Sequence, residues 1–426
     1  MTTVAIVLIV GLFVLLLLGM PIAFTLGLLA LVGMWLNDAN PLILSQRLIA
    51  GTGVHSLLAI PGFVLAGYIM SEGGLSRRLV HIAASMIGHL PGGLSMATVG
   101  AGTFFGAISG SAPATTAAIG SVMTSELEER GYERGYAAAL ATAVGPLGQM
   151  IPPSIPMVVW GVLAEESISK LFLAGIIPGL AAALGFVVIS YLYAVIRGVP
   201  RVGWMGFGEI ARAIRNGIWA LFTPVVILGG IYGGVFTPTE ASMVGAFYSF
   251  VVGVFIYREL SWRKLPGVLL QSLRTTAIIM FIICTAYAFA WVVSNEQLPS
   301  QVAEQLLSIT DNPILILLIL NILLLLLGAV IDTLSAMVIL STVLIAVGNQ
   351  IGLEPIQLGA MVVINFAVGM VTPPLGYSLF VAASITGLRI ETVARHLWPF
   401  LLVLVGVIGL VSYVPWVTLW LPSLID

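Results

Sequence analysis

Asp332 is the one carboxylate between Asp311 and Glu354, set in an apolar stretch and followed by Thr333 and Ser335. An isolated acid at membrane depth costs ~2.5–3.5 kcal/mol on insertion scales, so it needs a partner or a task. Two tasks fit: it organises a cation, with a sodium ion (Na+) as the candidate, or it caps the helix that follows. Ser109-Gly110-Ser111 and Thr115-Thr116 hold the counterpart place earlier in the chain. Where glycine lets a backbone unwind, freed carbonyls and hydroxyls are hard oxygen ligands suited to Na+, and helix N-termini turn positive ends toward anions. The same small residues could form a packing seam between helices instead. Glu240, in Thr237-Pro238-Thr239-Glu240-Ala241, lines a substrate path or caps the helix after Pro238. His55, His81, His89 and His396 share no spacing and read as interface residues, so no transition-metal site is expected. An intramembrane enzyme needs paired catalytic groups, and Asp332 and Glu240 stand far apart. No phosphate loop suggests ATP-driven transport.

These groups sit in a chain built for lipid. Hydrophobic residues make up 59% and charged residues 8%, against roughly 25% charged in a soluble domain. Uncharged runs such as Met1–Asn37, Leu171–Ile196 and Asn312–Ile331 are long enough to cross a bilayer, which takes ~20 residues. The N-terminal run lacks a basic start and reads as a retained helix rather than a cleaved signal. A net charge of −2 without a basic patch gives no sign of nucleic-acid binding. One cysteine, Cys284, excludes an intrachain disulfide and reads as a small core residue.

The chemistry occurs twice. Pro152-Pro153 and Pro373-Pro374 interrupt apolar stretches, and a shift of 221 also sets Gly148 on Gly369, Ser111 on Asp332 and Pro178 on Pro399. Proline pairs remove donors and free upstream carbonyls. Such backbone is tolerated inside a bilayer only under protein or beside a watery cavity, as in secondary transporters. The expected fold is all-α and polytopic, with two inverted repeats, helical hairpins at 90–125 and 312–350, and broken helices at 136–164 and 358–388. Each hairpin is somewhat short for two full crossings, so re-entrance fits, although two thin helices joined by a turn would read alike. Five stretches, Arg77–Arg78, Arg130–Arg134, Arg197–Arg215, Arg258–Arg274 and Arg389–Arg395, hold 14 of the 16 basic residues and fall on one side, the cytoplasm. The other side receives mostly acids, Asp311 among them. This sidedness makes the halves inverted and puts both termini outside.

The motifs Ile60-Pro61-Gly62-Phe63, Ser109-Gly110-Ser111-Ala112-Pro113-Ala114-Thr115-Thr116, Pro152-Pro153-Ser154, Thr237-Pro238-Thr239-Glu240-Ala241 and Thr372-Pro373-Pro374-Leu375-Gly376 together resemble the large membrane subunit of TRAP (tripartite ATP-independent periplasmic) transporters. That resemblance implies a sodium-driven elevator carrier for organic acids in the bacterial inner membrane. A periplasmic binding protein would deliver the substrate, and a small four-helix membrane subunit would complete the complex. It implies one sodium site at Ser109, Gly110, Ser111, Gly148 and Pro152, and another at Gly328, Asp332, Gly369, Thr372 and Pro373. Thr115, Thr116, Ser154, Thr333 and Ser335 are the substrate candidates. The expected division is scaffold and arm at 1–50 and 216–274, transport domain at 51–196 and 275–398, a cytoplasmic linker at 197–215 and a C-terminal helix at 399–426. A sodium–dicarboxylate or citrate-type carrier that needs no binding protein is the alternative.

Overall fold

The computed structural model describes residues 3–425 apart from Val202, Asp311 and Pro374. Pro374, the second proline of the later pair, and Asp311 thus lie outside the described residues. The described residues are helical, with no strand among them. Six helices are long and apolar enough to cross a membrane: Ile168–Arg197, Gly206–Tyr232, Pro238–Ile256, Leu265–Asn295, Thr333–Gln350 and Ile390–Tyr413. Large apolar side chains also face outward along them, Leu184 at 66% and Leu402 at 70% exposure, a pattern suited to lipid contact rather than water. The chain is an all-α, multi-pass membrane protein.

The two halves share element boundaries. A shift of 221 carries Ala112–Glu129 onto Thr333–Gln350 at both ends, and carries Arg134, where the next helix starts, onto Pro355. It carries Pro178, inside Ile168–Arg197, onto Pro399, inside Ile390–Tyr413. Helices Leu75–Ile87 and Leu298–Ile309 both follow a residue in the left-handed region, Gly74 at φ 76° and Gln297 at φ 54°. The hairpins are Gly93–Ser109 with Ala112–Glu129, and Pro313–Gly328 with Thr333–Gln350. Their arms hold 16 to 18 residues, or about 24–27 Å of helix.

Three expected boundaries move. Residue 399 does not start a helix, because Ile390–Tyr413 runs through Pro399. Pro399 is exposed on the outer side of that helix, and the one intrahelical bond it removes is tolerated there. Only part of 197–215 is irregular, since Gly206–Tyr232 is one helix. Its polar start is held by Glu209 and Arg212, 2.6 Å apart one turn on. In the first half, arm Leu42–Thr52 and segment His55–Glu72 bend by 53°, whereas Leu265–Asn295 is continuous. Gly51-Thr52-Gly53 supplies the break, and Arg274-Thr275-Thr276 has no glycine to match it. Cys284 is half-buried, its thiol 3.1 Å from the Leu48 carbonyl of that arm.

Helix Ala59–Glu72 lies against Pro238–Val251, where Gly62 leaves room for Ser242: a Cβ on Gly62 would stand 2.9 Å from the Ser242 backbone. The interior is formed by the broken helices. Every residue of 135–144 and 356–369 is buried, as expected of helices apolar on all faces. One polar network crosses this interior. Asn365 donates to Asn321 Oδ1 at 2.9 Å, Asn321 donates to Ser412 at 2.9 Å, and Gln357 donates to the Val411 carbonyl at 3.0 Å. It ties the second hairpin to the broken helix and to Ile390–Tyr413. Asn321→Ala would strand one N–H of the Asn365 amide, the other being held by the Met361 carbonyl, together with the hydroxyl of Ser412, and should cost about 1–3 kcal/mol, read as a lowered melting temperature in detergent.

Candidate functional site at the two hairpin tips

The first tip is a single left-handed residue between two helices. Gly93–Ser109 ends, Gly110 turns at φ 61°, and Ser111 at φ −138° starts Ala112–Glu129. The tip is held by its own hydroxyls. Ser109 Oγ lies 2.9 Å from Thr115 Oγ1, and Thr115 Oγ1 donates to the Ser111 carbonyl at 2.9 Å. The tip docks onto the helix break. Ile155 N–H donates to the Gly110 carbonyl at 3.3 Å, just past the cis peptide Pro152-Pro153. Backbones touch here, so side chains are excluded. A Cβ on Gly106 would lie 2.9 Å from Gly148, and one on Gly148 would lie 2.8 Å from the Ser111 carbonyl. Gly67, from the helix outside the hairpin, also admits Ser109, whose Cα would be 3.3 Å from an added Cβ.

The second tip uses a carboxylate. Pro313–Gly328 ends, and Asp332 at φ −64° is the N-cap of Thr333–Gln350. Its carboxylate accepts from the Ser335 N–H at 3.1 Å and from the Ser335 hydroxyl. Gly369, last residue of Pro355–Gly369, meets Gly328 as the first break meets its tip: a Cβ there would stand 2.6 Å from the Gly328 Cα. Thr372 turns its hydroxyl back to the Val368 carbonyl at 2.8 Å, and Pro373 follows in the turn before Tyr377–Thr386.

The two breaks meet each other. Thr333 Oγ1 donates to Gln149 Oε1 at 3.2 Å and lies 3.0 Å from Met370 Sδ, while Gln149 Nε2 lies 3.4 Å from the same sulfur. Gln149 and Met370 are 221 residues apart, the shift that relates the halves.

Ser109, Gly110, Ser111, Gly148 and Pro152 therefore form one junction, and Gly328, Asp332, Gly369, Thr372 and Pro373 surround the other. Among the described residues Asp332 and Thr372 share no hydrogen bond. The substrate candidates divide. Thr333 and Ser335 stand at the second tip and are buried. Thr115 and Thr116 are fully buried within the first junction: Thr115 is spent on the tip, and the Thr116 hydroxyl finds no partner among the described residues. Ser154 is an N-cap, accepting from the Met157 N–H at 3.4 Å. Glu240 forms a capping box with Thr237, donor to acceptor 2.9 and 3.2 Å. Gln149 is the residue sequence reasoning left unassigned, though it is the only amide side chain between Val144 and Ser154.

Residues 9–417 match the family described as Tripartite ATP-independent periplasmic transporter, DctM component. The chain is 40% identical over 405 residues to the isethionate TRAP transporter permease protein DctMQ of Oleidesulfovibrio alaskensis, covering 93% of this chain and 63% of that relative, thus less than two thirds of the latter. It is 40% identical over 369 residues to the C4-dicarboxylate TRAP transporter large permease protein DctM of Pseudomonas aeruginosa, covering 87% and 86%. It is 34% identical over 407 residues to the sialic acid TRAP transporter large permease protein SiaM of Vibrio cholerae, covering 95% of each. Among solved structures, the YdaH transporter of Alcanivorax borkumensis aligns at a TM-score of 0.64 with 14% identity, covering 88% of this chain and 86% of that one. At that identity the likeness is one of fold.

The glycine contacts make a stability prediction. Gly369→Ala should overpack the second junction and cost about 1–3 kcal/mol. Gly267→Ala, which meets nothing within 4 Å, should change the melting temperature in detergent little. Equal melting temperatures for the two variants would contradict the close approach.

Proposed function

The chain belongs to the tripartite ATP-independent periplasmic transporter family, DctM component, and from that premise we propose that it is the large permease of a sodium-coupled carrier that moves an organic acid across the bacterial inner membrane. The family is one of transporter permeases, not enzymes. Relatives are named for isethionate, C4-dicarboxylate, 2,3-diketo-L-gulonate and sialic acid. All are anions, which supports an acidic cargo. A periplasmic binding protein delivers it, and a small four-helix membrane subunit supports the permease.

The observation that carries this reading is the meeting of two unwound segments through Gln149, Thr333 and Met370. Contact between equivalent positions of two repeats is the arrangement expected beside a pseudo-two-fold axis. Combined with the one-sided basic loops, that contact supports an inverted arrangement with both termini periplasmic. Hairpin arms of 16 to 18 residues lie at the lower end of the spanning range, and Thr333–Gln350 is long enough to cross, so the support for re-entrance is the docking of each tip on a helix break. The tips then reach the bilayer midplane, where carbonyls and hydroxyls at Ser109, Gly110, Ser111 and Gly148 hold one Na+, and Asp332 with the carbonyls near Gly328, Gly369 and Thr372 holds another. Thr333 and Ser335, like Thr115, are buried with their hydroxyls engaged, at Gln149 and Asp332, so helix starts and sodium at the tips hold the cargo carboxylate. The tips, broken helices and Ile390–Tyr413 move as one body, because the Asn321 network and the Gln149 bridge tie them together. The static scaffold holds Ile22–Leu36, Gly206–Tyr232 and Pro238–Val251, while Ala59–Glu72, expected within the transport domain, touches Pro238–Val251 through Gly62 and the first tip through Gly67.

Asp332 separates the ligand from the cap. Asp332→Ala removes both and should abolish sodium-dependent uptake by the complete transporter in proteoliposomes. Asp332→Ser keeps the cap. It should retain the melting temperature yet raise the sodium concentration for half-maximal uptake about tenfold, equivalent to ~1.4 kcal/mol. Wild-type sodium dependence in Asp332→Ser would overturn the ligand role and leave the cap. Uptake by the permease without its binding protein would favour the sodium–dicarboxylate type of carrier.

A further inference from the structure

One turn of helix stands against both tips. Leu147–Met150 is set between Pro146 and Pro152, and neighbouring residues on it reach different hairpins. Gly148 abuts the first tip, where an added Cβ would stand 2.8 Å from the Ser111 carbonyl. Gln149 reaches the second tip, accepting from the Thr333 hydroxyl at 3.2 Å. Thr333 directly follows Asp332, the N-cap of its helix. Whatever moves this turn at Ser111 therefore moves the acceptor of Thr333. Gln149 is 4% and Thr333 2% exposed, so water does not replace a lost partner.

The repeats do not share this contact. A shift of 221 carries Gln149 onto Met370 and Ala112 onto Thr333. The equivalent pair is thus Met370 with Ala112, and alanine has no hydroxyl to donate. The second tip also lacks the backbone bond that fixes the first. There the Ile155 N–H donates to the Gly110 carbonyl, whereas the equivalent donor, the Gly376 N–H, turns to the Thr372 carbonyl at 3.2 Å. Among the described residues the second tip is bonded to a break through the Thr333 hydroxyl alone, with Gln149 and the Met370 sulfur as its acceptors. A thioether is the weaker of the two. The second tip is therefore held by the first repeat.

We propose that Gln149 is a positioning residue that couples the two tips. Through the Thr333 hydroxyl it sets the start of Thr333–Gln350, and with it Asp332, according to the state of the first junction. A cation at one tip then raises the affinity of the other, and by linkage the effect is equal in both directions. The coupling rests on the reading of both tips as sodium sites.

The test titrates the full-length permease in detergent with sodium chloride, potassium chloride keeping the ionic strength constant. Hydrogen–deuterium exchange gives a separate sodium midpoint for residues 109–115 and for 329–335. Asp332→Ser, made to weaken sodium at the second tip, should also raise the midpoint at 109–115, by about fivefold. Gln149→Met keeps the length of the side chain and removes the acceptor, and in that background Asp332→Ser should leave the 109–115 midpoint where it was. Thr333→Val, which removes the donor from the other side, should uncouple the tips in the same way, and Thr333→Ser should keep them coupled. Gln149→Met and Thr333→Val combined should do no more than either alone. A purely structural role would shift both midpoints in Gln149→Met and leave the effect of Asp332→Ser intact, which would overturn the coupling. A 109–115 midpoint unmoved by Asp332→Ser in the otherwise wild-type protein would overturn it too. Wild-type exchange indifferent to sodium at both tips is a different result: it would remove the sodium reading, and the coupling with it.

Discussion

Inside a bilayer an unwound backbone has no water to bond to, and every freed N–H and carbonyl must find protein. This requirement shapes both junctions. The Gly110 carbonyl is met by the Ile155 N–H across the proline break, and the Ser111 carbonyl is met by the N–H and hydroxyl of Thr115. Such bonds require backbones to touch, which explains glycine at 106 and 148 and again at 328 and 369. The first tip and its break are joined by the Gly110–Ile155 backbone bond, and the second pair by the close packing of Gly328 on Gly369.

The two pairs solve the problem with different chemistry. The first tip closes on hydroxyls, through Ser109 and Thr115. The second closes on a carboxylate, with Asp332 taking the N–H and hydroxyl of Ser335. Where the first tip has Ser111 as N-cap, the second thus has Asp332. Gln149 and Thr333 connect the junctions directly, so a change at one is felt at the other without a long relay.

Much of this was legible in the residues. A lone acid and two proline pairs in apolar runs have few bland readings, and the common shift of 221 reappears in helix ends set by Ser111 and Asp332 as N-caps. Other features were not legible. Thr115 and Thr116 look like free hydroxyls in a sequence, yet helical spacing turns both inward. Pro399 looks like a boundary, but it stands on an exposed face of Ile390–Tyr413, which continues through it. Gln149 gave no signal beyond its polarity, because its role depends on a partner 184 residues away. The packing of Ala59–Glu72 on Pro238–Val251 depends likewise on one missing side chain, Gly62.

If the chain is the sodium-coupled carrier proposed above, sodium bound at both tips should order them together. Hydrogen–deuterium exchange of the detergent-solubilised permease, compared in sodium chloride and potassium chloride, measures that ordering without knowledge of the cargo. The account predicts slower exchange in sodium over residues 109–115 and over 329–335, with helices such as Gly206–Tyr232 unchanged. Identical exchange at both tips in the two salts would contradict it.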